Sequence, residues 1–239
     1  MKLSVVIPVY NEVDSLEVLV SRVIAVDVGL ERQIVLVDDG STDGTKDVYP
    51  RLKERWPDQD ITYKIQPKNR GNGSALREAF KLVTGDIILI QDADLEYNPK
   101  DHPKLIQPIL DGVADVVYGS RFVGGDAHRV HLFWHMMGNK FITLLSNMFT
   151  NLNLTDMETC YKVFKKEVLD GLTLKANRFD FEPELTAKIA KLTPEGRRWR
   201  VFEVGISYAG RDYSEGKKIT WVDGIPALWT IVKCRFTGR

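Results

Sequence analysis

The chain has 239 residues, enough for one domain with a sizeable core or for two small ones. Its 33 basic and 33 acidic residues cancel, so no overall field draws it toward nucleic acid and any electrostatic role is local. Cys160 and Cys234 are too few and too far apart for a disulfide framework or a cysteine metal cluster, which points to a reducing interior.

Residues 3–9, LSVVIPV, form a continuous apolar, β-branched run, the pattern of a parallel strand covered on both faces. Leu16, Leu19, Val20 and Val23 then fall on one helical stripe. QIVLVDD (33–39) predicts a second strand, and GSTDGT supplies turn and N-cap chemistry for the next helix. ITYKI (61–65) predicts a third strand. RGNGS opens a helix with Leu76, Ala79, Phe80 and Val83 on one face. DIILIQ (86–91) and ADVVYG (114–119) predict the fourth and fifth strands, with a helix around Leu105 to Leu110 between them. This alternation predicts an α/β fold with a Rossmann-like, open, mostly parallel sheet flanked by helices.

After residue 120 the alternation breaks. A long apolar helix (131–149), a strand-like CYKVF, a helix near 182–192, a strand WRVFEV, the loop AGRDYSEGKK and an apolar tail follow. This half reads as appended to the first sheet, within a single domain spanning 1–239. The N-terminal MKLSVVIPVYNE turns acidic and carries a proline too early for a secretory signal. No stretch reaches roughly 18 uncharged apolar residues, so no membrane-spanning helix is expected.

Ligands of open α/β sheets bind beyond the carboxyl ends of the strands. Four predicted ends here are polar: YNE, DDGS, QPKNRGNG and QDADLE. At the last, Asp92 and Asp94 lie two residues apart and so share a side, with small Ala93 between them. Two carboxylates held close need a proton or a cation between them, and Mg²⁺ or Mn²⁺ suits all-oxygen ligands. Glu96 stands where an aspartate-based phosphatase motif would carry Thr or Val. The dinucleotide fingerprint and the Walker A loop are both absent. His131 and His135 have a spacing that can bind zinc but lack a nearby Cys or Glu.

The segments SVVIPVYNE, VLVDDGSTDGT, NRGNGSALREAF, GDIILIQDADLEYNP, YGSRF, DMETCYKVF and FDFEPEL occur in that order from residue 4 to about 185. In this the chain resembles the family 2 glycosyltransferases of the GT-A fold, and within them the dolichol-phosphate mannose synthase and polyprenyl-phosphate hexosyltransferase group. The resemblance implies a nucleotide-sugar-binding half (1–120) and an acceptor half with a membrane-contacting tail (121–239). It implies that Pro8, Tyr10, Glu12, Asp38, Asp39, Gly71, Gly73 and Asp92 bind the nucleotide. It makes Asp92, Asp94 and Glu96 metal ligands, and Arg121, Arg129, Asp156, Arg211 and Lys218 acceptor contacts, with Asp94, Arg121 and Arg211 closest to the chemistry. Lys217 stands where the family usually has Ser, and DAHRVHLFWHMMGNK replaces an Arg/Ser-rich helix start.

The implied activity is inverting, metal-dependent transfer of a hexose from GDP-mannose or a UDP-hexose to a polyprenyl (dolichyl-type) phosphate, with mannose favoured over glucose. A glycan or protein hydroxyl acceptor, and a non-catalytic nucleotide-sugar-binding subunit, are the competing readings. An anionic phosphate acceptor needs cations rather than a base. Two stretches mix aromatic and basic residues in the manner of an interfacial segment. One carries Phe133, Trp134, Met136, Met137 and Phe141; the other carries Trp221, Trp229, Lys233, Arg235, Phe236 and Arg239. They imply peripheral association with the cytoplasmic face of a membrane, with a homodimer or a membrane-protein partner compatible with the same surfaces and no nucleic-acid partner.

Overall fold

The structure, a computed structural model, describes residues 1–124, 129–130, 132–191, 196–210 and 224–236. Strands β1 (Lys2–Val9), β2 (Glu31–Asp38), β3 (Asp60–Ile65), β4 (Ile87–Ile90), β5 (Val116–Ser120), β6 (Lys162–Lys165) and β7 (Val201–Gly205) form one sheet of order β3-β2-β1-β4-β6-β5-β7. Leu3 to Val9 are all buried, as a strand covered on both faces requires. β1 pairs in parallel with β2 and β4, aligning Val9 with Asp38 and Val6 with Ile90. That register brings the three carboxyl ends close together, where the order of strands reverses and a crevice opens.

Helices α1 (Leu16–Ala25), α2 (Val48–Arg55), α3 (Asn72–Phe80) and α4 (His102–Leu110) follow β1, β2, β3 and β4. The α1 stripe Leu16, Leu19, Val20 and Val23 is wholly buried. In α3, Leu76 and Ala79 are buried, while Val83 stays buried although the helix stops at Phe80. The C-terminal half is more than an addition to a five-stranded sheet. β6 runs antiparallel between β4 and β5, so those two strands reach each other only through it, and β7 extends the far edge beside β5. The expected strand CYKVF starts two residues later, at Lys162.

The remaining helices are α5 (Phe133–Thr150), α6 (Lys166–Asp170), α7 (Phe181–Ile189) and α8 (Gly224–Phe236); α5, α7 and α8 contact one another. α5 is inverted relative to an ordinary surface helix. Its buried residues are Thr143 and Ser146, while Phe133, Trp134, Met137, Phe141, Leu144 and Met148 are exposed. No described helix is long and apolar enough to cross a membrane.

Asp115, at the start of β5, gathers the second half of the sheet. It accepts from Arg200 Nε (3.0 Å), Arg200 Nη2 (2.7 Å), the Arg200 backbone N–H (3.0 Å) and Lys165 Nζ (2.9 Å). The Arg200 hydrogen bonds, opposed by desolvation and aided by Lys165, hold its carboxyl well below the usual carboxylate range. A carboxyl depressed in the folded state stabilises fully above about pH 4 and loses that contribution as the pH falls. Asp115→Asn is therefore expected to lower unfolding stability at pH 7 by about 1–2 kcal/mol. The difference from the parent should shrink toward pH 2, as measured by urea denaturation at both pH values.

Candidate active site

Short hydrogen bonds stitch together the loops beyond β1 and β2. Asn11 takes a left-handed φ of 54°. Its backbone N–H donates to Ser41 Oγ (3.0 Å), and its Oδ1 accepts from Thr42 N (2.8 Å). Glu12 N donates to Thr45 Oγ1 (3.0 Å), and Val13 N to Asp43 Oδ2 (3.2 Å). Ser15 Oγ donates to the Glu12 carboxylate and contacts the Ala93 carbonyl at 3.2 Å, joining the first loop to the acidic segment after β4. Tyr10 sits exposed at the end of β1, whereas Pro8 is buried inside the strand opposite Val37.

The two aspartates that end the β2 run have different tasks. Asp38 is fully buried; its Oδ1 accepts from Ser41 N (2.6 Å) and its Oδ2 from the Tyr49 hydroxyl (2.8 Å). It shapes the loop from within. Asp39 accepts the backbone N–H groups of Arg70 (2.9 Å) and Gly71 (2.7 Å), clamping the end of β2 to the loop before α3. Burial raises the Asp39 pKa, and those two amides oppose the rise. The glycines beside it serve the chain's own backbone. Gly71 has φ +99°, and a Cβ there would strike the Asn177 carbonyl. A Cβ on Gly73 would lie 2.7 Å from the Ala176 carbonyl. Both admit the 176–177 loop at a distance no side chain permits.

The acidic segment follows β4 directly. Gln91 is buried, and its Oε1 contacts the Tyr161 hydroxyl (2.7 Å) and His102 Nε2 (2.9 Å). Burial lowers the His102 pKa to about 3, so the ring is neutral at pH 7. Burial first, and Asp94 second, push the Asp92 pKa up to about 7; Glu182 and Glu96 add to the rise, while a hydrogen bond from the Cys160 thiol opposes it. Asp94 Oδ1 accepts from Glu96 N (3.1 Å). Glu96 Oε2 accepts from the Tyr208 hydroxyl (2.7 Å), which ties it to the 207–209 loop. Among the described residues no three acidic, His or Cys side chains converge into a ready-made metal cage. Asp92 and Asp94 nevertheless fit a hard divalent cation, since they are neighbouring carboxylates whose mutual repulsion such an ion would relieve.

The residues expected to meet the acceptor divide. Arg121 and Asp156 form one internal ion pair, with Nε–Oδ2 at 2.6 Å and Nη2–Oδ1 at 2.7 Å. Asp156 has no exposed side-chain surface, and the Arg121 side chain is 14% exposed. Asn139 Nδ2 of α5 donates to Asp156 Oδ1 (3.1 Å), and the Arg121 guanidinium lies 5.2 Å from the centre of the Tyr208 ring. Asp156, Arg121, Tyr208 and Glu96 thus connect α5 to the acidic segment. Arg129 is exposed; its backbone N–H donates to the Tyr208 carbonyl (2.9 Å) and its Nη1 to the Gly210 carbonyl (2.9 Å). Arg211, Lys217, Lys218, His131, Trp221 and Arg239, together with the side chains of Arg235 and Phe236, lie outside the described residues.

Tyr208, Cys160, Lys162 and Glu182 escape a reading based on local pattern. Lys162 is fully buried and paired with Glu182 at the start of α7. Each reaches the site through a contact made across a long stretch of sequence. Their only early signal is membership in the segments DMETCYKVF and FDFEPEL, and Tyr208 has none.

Solved structures superpose on this arrangement over the whole chain. Glucosyl-3-phosphoglycerate synthase of Mycobacterium tuberculosis superposes with a TM-score of 0.72 at 18% identity, over 100% of this chain and 82% of that one. The same enzyme in complex with Mn²⁺, uridine diphosphate and phosphoglyceric acid gives 0.71 at 18% identity, over 100% and 80%. The fold is therefore GT-A. The chain belongs to glycosyl transferase family 2, whose signature matches residues 4–173. A dolichol-phosphate mannosyltransferase of Pyrococcus furiosus is 32% identical over 91% of this chain and 59% of its own length. An undecaprenyl-phosphate 4-deoxy-4-formamido-L-arabinose transferase of Photorhabdus laumondii is 28% identical over 99% of this chain and 69% of its own. The chain thus spans about three fifths of the first of these relatives.

Asp39→Asn would set an amide N–H₂ against one of the two backbone donors that the carboxylate now accepts. The expected cost is about 1–3 kcal/mol of stability. Loss of affinity for GDP and UDP should accompany it, read by urea denaturation and calorimetric titration. Full stability in this variant would show that the clamp does not hold the loop.

Proposed function

We propose that this protein transfers a hexose from a nucleoside-diphosphate sugar to a polyprenyl phosphate, with inversion, at the cytoplasmic surface of a membrane. The observation that carries this reading is the Asp92–Asp94 pair just beyond β4, set across β1 from the β2 end that leads into Asp39. Names of the relatives, which pair polyprenyl-type phosphates with sugars, support the acceptor class. Mannose from GDP-mannose is the favoured donor group, with glucose from UDP-glucose the alternative.

The bond between the anomeric carbon and the donor's terminal phosphate oxygen breaks, and its electron pair leaves with the nucleoside diphosphate. An acceptor phosphate oxygen attacks the opposite face and forms the new carbon–oxygen bond, so the configuration inverts. Mg²⁺ or Mn²⁺ held by Asp92 and Asp94 supplies charge neutralisation for the departing diphosphate. Glu96, fixed by Tyr208, sets the course of the segment that carries both aspartates. A phosphate monoester is already anionic at pH 7, so no general base is required. Arg121, oriented by Asp156, and Arg129 are the described residues proposed to meet the acceptor phosphate, and Arg211 and Lys218 are proposed to join them.

The inverted helix α5 suits a lipid acceptor. Trp134 is 80% exposed and Met148 70%, and neither α5 nor α8 contains an acidic residue. Aromatic and aliphatic side chains with Lys140 and Lys233 beside them match the anionic headgroup region.

A glycan or protein hydroxyl is the competing acceptor. The two acceptors separate in one assay. The protein is incubated with GDP-mannose or UDP-glucose, Mg²⁺ or Mn²⁺, and polyprenyl phosphate in vesicles, or with soluble saccharides. Lipid-linked hexose is expected, lost with chelator and reduced by roughly a hundredfold or more in Asp94→Ala. Product with a saccharide and none with the lipid would establish the hydroxyl reading. Phe141→Glu is expected to weaken co-sedimentation with anionic vesicles and to slow lipid-linked transfer while leaving nucleotide affinity unchanged, as checked by titration.

A further inference from the structure

A cleft of about 520 Å³ opens at the amino ends of β1 to β3, lined by Lys2, Arg32, Asp58 and Asp60 among others. Its cations are already engaged. Lys2 Nζ pairs with Asp60 at 2.8 Å, and the Arg32 guanidinium donates to the carbonyls of Val23, Ile24 and Val26.

A second cleft, of about 360 Å³, is bordered by Arg70 on one loop, by Lys175 to Asp180 on another, and by Pro226. Its cations differ in state from those of the first. Among the described residues no carboxylate lies within ion-pair distance of Arg70, Lys175 or Arg178. Asp180 is the one acid in the lining, and its Oδ1 accepts the Arg178 backbone N–H (3.0 Å). Asp39 is close enough to sense Arg178 electrostatically.

The backbone beneath these cations is fixed. Glu184 Oε2 accepts the N–H groups of Lys175 (2.8 Å) and Ala176 (2.7 Å). The Asn177 carbonyl accepts from Ser74 N (3.1 Å), and Arg77 clasps the Ala176 carbonyl and Asn177 Oδ1. Asp39 holds the Arg70 N–H. Exposed lysines and arginines are ordinary on a protein surface. Three of them around one concavity, on loops immobilised from behind and with no carboxylate at ion-pair distance among the described residues, form a preorganised positive site. Phe179, 38% exposed, adds an apolar platform to the lining.

We propose that this cleft binds a phosphorylated anion, whose phosphate oxygens are met by Arg70, Lys175 and Arg178 and whose adjoining flat or apolar group rests on Phe179. Arginine forks and a lysine ammonium are the side chains that match such oxygens. The anion has two sources: the donor nucleotide, in which case the inference rests on the proposed transfer reaction, or a separate phosphorylated ligand.

The test is calorimetric titration with sodium pyrophosphate in the presence of chelator, so that no cation at Asp92 and Asp94 contributes. Saturable one-site binding is expected, weakening as salt rises. It should fall by about tenfold or more in the double variant Lys175→Gln/Arg178→Gln and also in Arg70→Gln, whose melting curves report folding. Absence of saturable binding, or unchanged affinity in a folded variant, overturns the proposal. Displacement by GDP or UDP assigns the site to the donor, and simultaneous binding assigns it to a separate ligand. A parent protein that transfers sugar yet ignores pyrophosphate loses this cleft and keeps the activity; binding without transfer has the reverse meaning.

Discussion

Asp92 and Asp94 cannot withdraw from each other. The four residues of β4 are buried, and Gln91 is anchored between Tyr161 and His102, so the backbone delivers both carboxylates to the same place. In a flexible loop the pair would relax by moving apart. On this support the repulsion persists and adds to the rise in the Asp92 pKa that burial causes first. The proposed cation site therefore depends on the rigidity of what lies beneath it. A cation and the diphosphate it neutralises would complete an electrostatic balance that folding leaves open.

That rigidity extends sideways through polar contacts. Ser15 joins the start of α1 to the Ala93 carbonyl, Asp39 joins β2 to the loop before α3, and Tyr208 joins Glu96 to the loop after β7. Each is a single side chain spanning two loops, and each replaces water as the partner of a buried or half-buried group. Such cross-links explain how a site assembled from loops keeps a defined shape on a scaffold whose own hydrogen bonds end at the strand termini.

The first five strands and the polar loops at their carboxyl ends were legible because their signals are local. Five apolar, β-branched runs read as strands without knowledge of their neighbours, and polar residues at their ends marked the crevice. The place of β6 was not legible. Four residues carry no record of direction, and only the edges offered by β4 and β5 decide that this strand runs against the others. Gly71 and Gly73 illustrate a different limit. The sequence shows that something must approach closely, and the structure identifies the Ala176 and Asn177 carbonyls as what does. Arg121 and Asp156 were each singled out, but their mutual bond spans 35 positions and has no local trace.

The antiparallel insertion of β6 also governs the order in which the molecule can be built. During synthesis β5 leaves the ribosome well before β6, yet it has no place beside β4 until β6 is laid down between them. Until then one edge of the nascent sheet stays open and the β5 segment, buried along its length in the finished fold, is without a partner. A fragment ending near residue 120 would hold all five early strands and still lack the means to join the last of them. For this chain the indivisible unit of folding is consequently larger than its first 120 residues.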